Sequence, residues 1–177
     1  MAKIYLLDIE NLFVEDYFPV KSKLRAEYIS SIKDEKRKKQ SFFVWKLLEC
    51  ALDDLGVKNN EFYVLSNRWG LVGDSVYFSL SHSNNLVVVA ISENKIGVDI
   101  EKLDKKLFGL EKRYKTPKNS ENMLFYLAKC FTAEEANFKA LDKMESKSFL
   151  VKDNKTNEYC LSVCTDEKIE IINIDKL

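Results

Sequence analysis

The sequence predicts an α+β protein built as a pseudo-dimer of two similar strand–helix–strands halves, and three observations predict it. Lys3-Ile4 followed by Asp8-Ile9-Glu10-Asn11-Leu12 is echoed, close to half the chain later, by Lys95-Ile96 followed by Asp99-Ile100-Glu101-Lys102-Leu103. Each copy leads into a stretch of helical periodicity. Each half then closes on short runs rich in β-branched and aromatic residues, the composition of strands. The expected division is 1–93 for an N-terminal α+β half and 94–177 for a C-terminal half carrying the chemistry.

The elements follow in order. The first helical region runs from Leu24 to Leu55. From Asp34 onward Phe42, Trp45, Leu48, Leu52 and Leu55 recur at three- and four-residue steps, and Gly56 supplies the stop. Strands are expected at Phe62 to Leu65, Val76 to Leu80 and Leu86 to Ser92. In the second half Met123, Leu124, Leu127 and Phe131 form one helical stripe, and Phe138 and Leu141 form another, within Asn122 to Lys143. Thr132 with Glu135 three residues later fits a capping box, so a new helix is predicted to begin at Thr132. Strands at Ser148 to Lys152, Glu158 to Cys164 and Lys168 to Ile174 complete this half.

Composition bounds the function. The 177 residues are 46% hydrophobic with only five glycines and two prolines, enough for a packed core. Net charge is zero, which removes a global electrostatic argument for nucleic acid. Basic residues concentrate in Lys33 to Lys39 and again in Lys102 to Lys118. No apolar run approaches the length of a membrane span, and the opening MAKIYLLDIENL carries acids where a signal peptide would stay apolar. The four cysteines have no metal-binding spacing. Cys50 and Cys130 read as small apolar residues of helices, and Cys160 and Cys164 as strand residues. A reduced, cytoplasmic, monomeric protein is the expectation.

The chemistry gathers in two places. Asp99 and Glu101 are two apart in a β-rich segment, which puts both carboxylates on one strand face. Glu135 and Lys139 are four apart in a helical segment and share one helix face. Three hard oxygen donors with a lysine beside them suit a divalent cation and a phosphate ester. On the residues alone a plainer reading stands beside this one. Asp99 and Glu101 would be solvated strand-end acids partnered by Lys102, Lys105 and Lys106, and Glu135 the capping-box glutamate of Thr132. His82, the single histidine, would then be a hydrogen-bonding residue at a strand end.

The blocks Phe78-Ser79-Leu80-Ser81-His82-Ser83, Gly97-Val98-Asp99-Ile100-Glu101 and Phe131-Thr132-Ala133-Glu134-Glu135-Ala136-Asn137-Phe138-Lys139 occur in that order, after a basic stretch Asp34-Glu35-Lys36-Arg37-Lys38-Lys39. In order and spacing they resemble the Sfp-type 4'-phosphopantetheinyl transferases, over most of the chain. The resemblance implies two similar halves with an active site between them. It implies Mg2+ on Asp99, Glu101 and Glu135. It implies coenzyme A held by Lys36, Lys39, Ser81, His82 and Lys139, with Ser81 and His82 on the 3'-phosphate and Lys139 on the diphosphate. Glu135 and Lys139 become the catalytic pair, and the partner an apo acyl or peptidyl carrier protein. The sequence departs from the family pattern at Leu71 and Val72, where a lysine and a proline are usual, and at Glu134, where a lysine is usual. Two other readings remain open. One is a non-catalytic relative that binds coenzyme A or a carrier, and the other is a small interaction module using its basic segments.

Overall fold

In the computed structural model the described residues are all of 1–177 except 59–60, 66–67, 74–75, 116–121, 142–143 and 176. The chain forms β1 (Ala2–Asp8), α1 (Lys23–Ser31), α2 (Glu35–Asp54), β2 (Phe62–Leu65), β3 (Arg68–Leu71), β4 (Tyr77–Ser83), β5 (Leu86–Ser92), β6 (Gly97–Lys102), α3 (Met123–Ala140), β7 (Ser146–Lys152), β8 (Glu158–Cys164) and β9 (Ile169–Ile174). The fold is α+β. A four-stranded sheet runs β4-β5-β1-β9, a three-stranded sheet runs β6-β8-β7, and β2-β3 is a separate hairpin.

The layers follow from the period of the strands. Along β1 and β5, Tyr5, Leu7, Val87, Val89 and Ile91 join one core with Phe43, Trp45, Leu48 and Leu52 of α2. Their alternates Ile4, Leu6, Leu86, Val88 and Ala90 join a second core with Val98 and Ile100 of β6 and with Tyr159, Leu161 and Val163 of β8. Both faces of β5 are therefore buried, which is why it reads as an unbroken apolar run. On β8 the other face, Cys160 and Cys164, meets α3. The result is helix on sheet on sheet on helix.

The two halves share a wiring pattern. In each, the first strand pairs antiparallel with the last strand of the following hairpin, β1 with β5 and β6 with β8, and that strand pairs with its predecessor, β4 or β7. In addition, β9 returns to lie parallel to β1, with Ala2 opposite Ile169 and Leu7 opposite Ile174.

Three sequence expectations change. The first helical region is two helices, with Asp34 capping α2 by accepting from the Arg37 amide at 2.7 Å. Helix α3 is continuous, so no helix begins at Thr132 and Glu135 caps nothing; the cap is Asn122, whose Oδ1 accepts from the Phe125 amide at 3.0 Å. Buried Thr132 donates to the Ala128 carbonyl at 2.9 Å and meets Ser162 Oγ at 2.7 Å. A threonine satisfied this way sits inside a helix, and the capping-box spelling misleads. Finally, β4 extends through Ser83, which places the whole serine run on a strand. The hairpin strand β3 was not foreseen.

Arg25, buried on α1, is packed among the rings of Tyr28, Trp45 and Trp69, at 4.7, 4.8 and 5.1 Å from their centroids. It also donates to Ser41 Oγ at 2.7 Å. This cation–π cluster ties α1 and the β2-β3 hairpin to α2.

Helix α3 lies closely on the start of β6, where Gly97 faces the helix backbone at Ala136 and Ala140. A Cβ added at Gly97 would lie 1.9 Å from the Ala136 carbonyl oxygen and 2.7 Å from the Ala140 nitrogen. Those are backbone atoms of the helix and cannot rotate aside. Gly97→Ala is therefore expected to lose about 1–3 kcal/mol of stability, the usual cost of overpacking, measured by urea denaturation. Unchanged stability would show that the helix is not seated this closely.

Candidate functional site

The site lies where the edges of the two sheets meet. Both β4 and β6 are edge strands, and their facing polar groups need partners. Serine hydroxyls supply them. Ser79, Ser81 and Ser83 accept from the amides of Val98, Ile100 and Lys102 at 3.0, 3.4 and 3.0 Å, each pair 19 residues apart. A constant offset means that β4 and β6 run parallel with side chains as the rungs.

An accepting hydroxyl keeps its own proton to give. Ser81 donates to Asp99 Oδ1 at 2.7 Å, and Ser83 hydrogen-bonds Glu101. Lys139, in the last turn of α3, completes the seam. Its ammonium donates to Asp99 Oδ1 at 2.6 Å, to the Val98 carbonyl at 3.0 Å and to the Leu80 carbonyl at 3.4 Å. All three ammonium protons are engaged.

Beside this seam a cavity of ≈ 310 Å³ opens between the start of α2, the β4-β5 turn and the end of β6. Lys36, Lys102 and Lys106 bring positive charge to it, Glu101 and Asp104 negative charge, and His82 a ring. The turn is fixed by α2: Lys36 donates to Asn84 Oδ1 at 2.6 Å and Gln40 to the Asn84 carbonyl at 2.7 Å. Asn84 adopts φ 51°, a left-handed conformation that asparagine tolerates.

Burial, then the neighbouring Asp99 carboxylate, pushes Glu101 above the usual carboxylate range, partly offset by Ser83. Burial, then Lys139 and Arg37, holds His82 below its ordinary value, so it is neutral at physiological pH.

Several expected residues meet here. Lys36, His82 and Glu101 line the cavity, and Asp99, Ser81 and Lys139 form the seam behind it. Ser81 is buried against Asp99 and is not among the lining residues, whereas Ser83 is. Lys39 turns elsewhere, donating to the Glu10 carbonyl at 3.1 Å with its ammonium over the Phe13 ring. Glu135 is half-buried on α3 one turn before Lys139. Among the described residues no three His, Cys, Asp or Glu side chains are arranged to hold a metal ion. Glu134 is engaged at the surface by the Tyr114 hydroxyl and the Arg113 guanidinium, which hold its carboxyl below the usual range. Gln40, Ser83, Asn84, Asp104, Lys102 and Lys106 were not foreseen as site residues. For Ser83 alone a signal existed, since it continues the two-residue spacing of Ser79 and Ser81.

Asp99 and Glu101, hard oxygen donors two apart on β6, are the residues that could hold a divalent cation. Asp99 already holds a cationic group, and Glu101 resists ionisation beside it. Mg2+ typically uses one or two carboxylates with substrate phosphates completing its shell. No protein-family model matches the chain, and no curated protein matches it. Among the described residues no helix is long and apolar enough to cross a membrane.

The shifted groups give the site a pH signature. Glu101 has a raised pKa in the folded state, so its contribution to stability declines as pH rises past its ordinary 4.5. Glu101→Gln is expected to stabilise the ligand-free protein at neutral pH and to have no effect once the carboxyl is protonated. His82 has a lowered pKa, so folding loses stability as pH falls below its ordinary 6.5. His82→Asn should remove that part of the acid sensitivity. Urea denaturation across this pH range measures both, and parallel curves for wild type and variants would contradict the assignments.

Proposed function

We propose that the protein is a Mg2+-dependent 4'-phosphopantetheinyl transferase. It moves the phosphopantetheine arm of coenzyme A onto a serine of an apo acyl or peptidyl carrier protein. The observation that carries this reading is the convergence of β4, β6 and α3 at one seam. It brings the serine–histidine block, the Asp99–Glu101 pair and Lys139 together beside a cavity with lysines on its rim. These blocks are far apart in sequence, and the family resemblance needs them adjacent.

In this reading Lys36, Lys102 and Lys106 hold the phosphates of coenzyme A, and neutral His82 offers a ring N–H to the 3'-phosphate. Asp99 and Glu101 would hold Mg2+, which when bound supplies charge neutralisation on the diphosphate oxygens. The carrier serine Oγ attacks the β-phosphorus, and the bond from that phosphorus to the bridging oxygen breaks. Adenosine 3',5'-bisphosphate leaves. Glu135, the resemblance's third metal ligand, is assigned here as the group that takes the serine proton. Lys139 is assigned to the charge developing on the diphosphate. The carrier's acidic surface would meet the basic segment that starts at Lys102, whose residues 116–118 lie outside the described residues. The shared wiring of β1-α2-β4-β5 and β6-α3-β7-β8 supports the pseudo-dimer reading of the fold, a monomer in solution. The four cysteines form no disulfide with one another, which suits a reducing cytoplasm.

A second reading, a relative that binds coenzyme A or the carrier without transfer, is favoured by the engaged state of Lys139 and by Leu71 in place of the family lysine. Mass spectrometry of an apo carrier incubated with coenzyme A, Mg2+ and the protein decides between them. The proposal expects a gain of one phosphopantetheine arm, and expects Asp99→Ala to abolish it with the fold intact. Binding of coenzyme A with no mass gain on any carrier would overturn transfer and leave the binder.

A further inference from the structure

We propose that Asn84 is a positioning residue that aims Lys36 at an anion in the cavity, and that its orientation is set from the other sheet by buried Tyr159 and Asp153. The inference rests on the reading of this cavity as the phosphate site of coenzyme A and names what holds its lysine in place.

Lys36 is exposed in the first turn of α2. A lysine at such a helix start sweeps through solvent, and holding it for a ligand costs side-chain entropy. Asn84 holds it in advance, because its Oδ1 accepts from the Lys36 ammonium at 2.6 Å. This bond uses one of the three ammonium protons, and the acceptor is a neutral amide, so the positive charge is not cancelled. Two contacts fix Asn84 in turn. Buried Gln40, one helical turn beyond Lys36, donates to the Asn84 carbonyl at 2.7 Å and holds the turn at φ 51°. On its other side Asn84 hydrogen-bonds the Tyr159 hydroxyl. Tyr159 is fully buried on β8 and gives its one proton to Asp153 Oδ2 at 3.0 Å, so toward Asn84 its oxygen can only accept. The amide nitrogen of Asn84 therefore faces Tyr159, and Oδ1 faces Lys36. Asp153 starts this line as an acceptor, taking also the Lys155 and Asn157 amides at 3.0 and 2.8 Å. Neither Tyr159 nor Asp153 is among the residues lining the cavity, so their effect on a ligand there passes through Asn84.

Calorimetric titration of coenzyme A into the protein, in double-mutant cycles with Lys36→Met, tests the proposal. Asn84→Gly removes the oxygen and keeps the left-handed turn, where glycine is at ease. Tyr159→Phe removes only the hydroxyl and leaves the ring in the core, and it serves if the turn variant unfolds. Urea denaturation checks the fold of each. Each folded variant is expected to weaken coenzyme A binding about threefold to tenfold, the usual cost of ordering one flexible side chain. In the Lys36→Met background the same changes should alter affinity by less than about twofold. Equal losses in both backgrounds would show that Asn84 and Tyr159 do not act through Lys36, which overturns the proposal and leaves the phosphate reading standing. Unchanged affinity in the single variants overturns it too. If wild type does not bind coenzyme A, or Lys36→Met binds it as tightly, the reading of the cavity fails and the proposal falls with it.

Discussion

The two sheets of this protein are joined at one edge by serine hydroxyls in place of a backbone ladder, and the candidate site exists because of that substitution. A backbone rung uses one donor and one acceptor and leaves nothing over. A serine rung accepts an amide from β6 and still has a proton to donate, which Ser81 gives to Asp99 and Ser83 to Glu101. Strand alternation then sets the arrangement. Serines two apart on β4 face acids two apart on β6. Lys139 closes the edge by capping a carbonyl from each strand and the first acid.

Helix α3 reaches this edge because nothing holds it away. Gly97, Ala136 and Ala140 let the helix backbone lie directly on the start of β6, and Lys139 emerges one residue before the helix ends. A larger residue at Gly97 would push against the helix backbone and so against the placement of the ammonium on Asp99. Close packing and charge placement are the same constraint here. Burial beside the cavity shifts both titratable groups toward their neutral forms, Glu101 upward and His82 downward. Shifted groups gathered beside one cavity mark it as the candidate site of the fold.

Much of this could be read in advance from local pattern. The strand at Asp99 and Glu101, the helical stripes of α2 and α3 and the buried run of β5 all follow from periodicity and side-chain type. The capping-box reading of Thr132 failed because a threonine hydroxyl can bond backward to Ala128 within a helix, a choice made by the tertiary contact with Ser162. Lys39 missed the cavity because helix position fixes only a direction, and the Glu10 carbonyl lay within reach. The roles of Gln40 and Asn84 depend on a contact between residues 44 apart in sequence, which no local pattern encodes. The serine rungs were hidden for a related reason. Their spacing was visible, but their partners belong to another sheet.

The central claim is that one cavity beside the β4–β6 seam takes the phosphates of coenzyme A while the acids behind it take the cation. A crystal structure of the protein with coenzyme A and Mg2+ tests this most directly. The account predicts the phosphates among Lys36, Lys102 and Lys106, the metal on Asp99 and Glu101, and Lys139 turned from Asp99 toward the diphosphate. Coenzyme A bound elsewhere on the surface, with Lys139 still on Asp99, would contradict it.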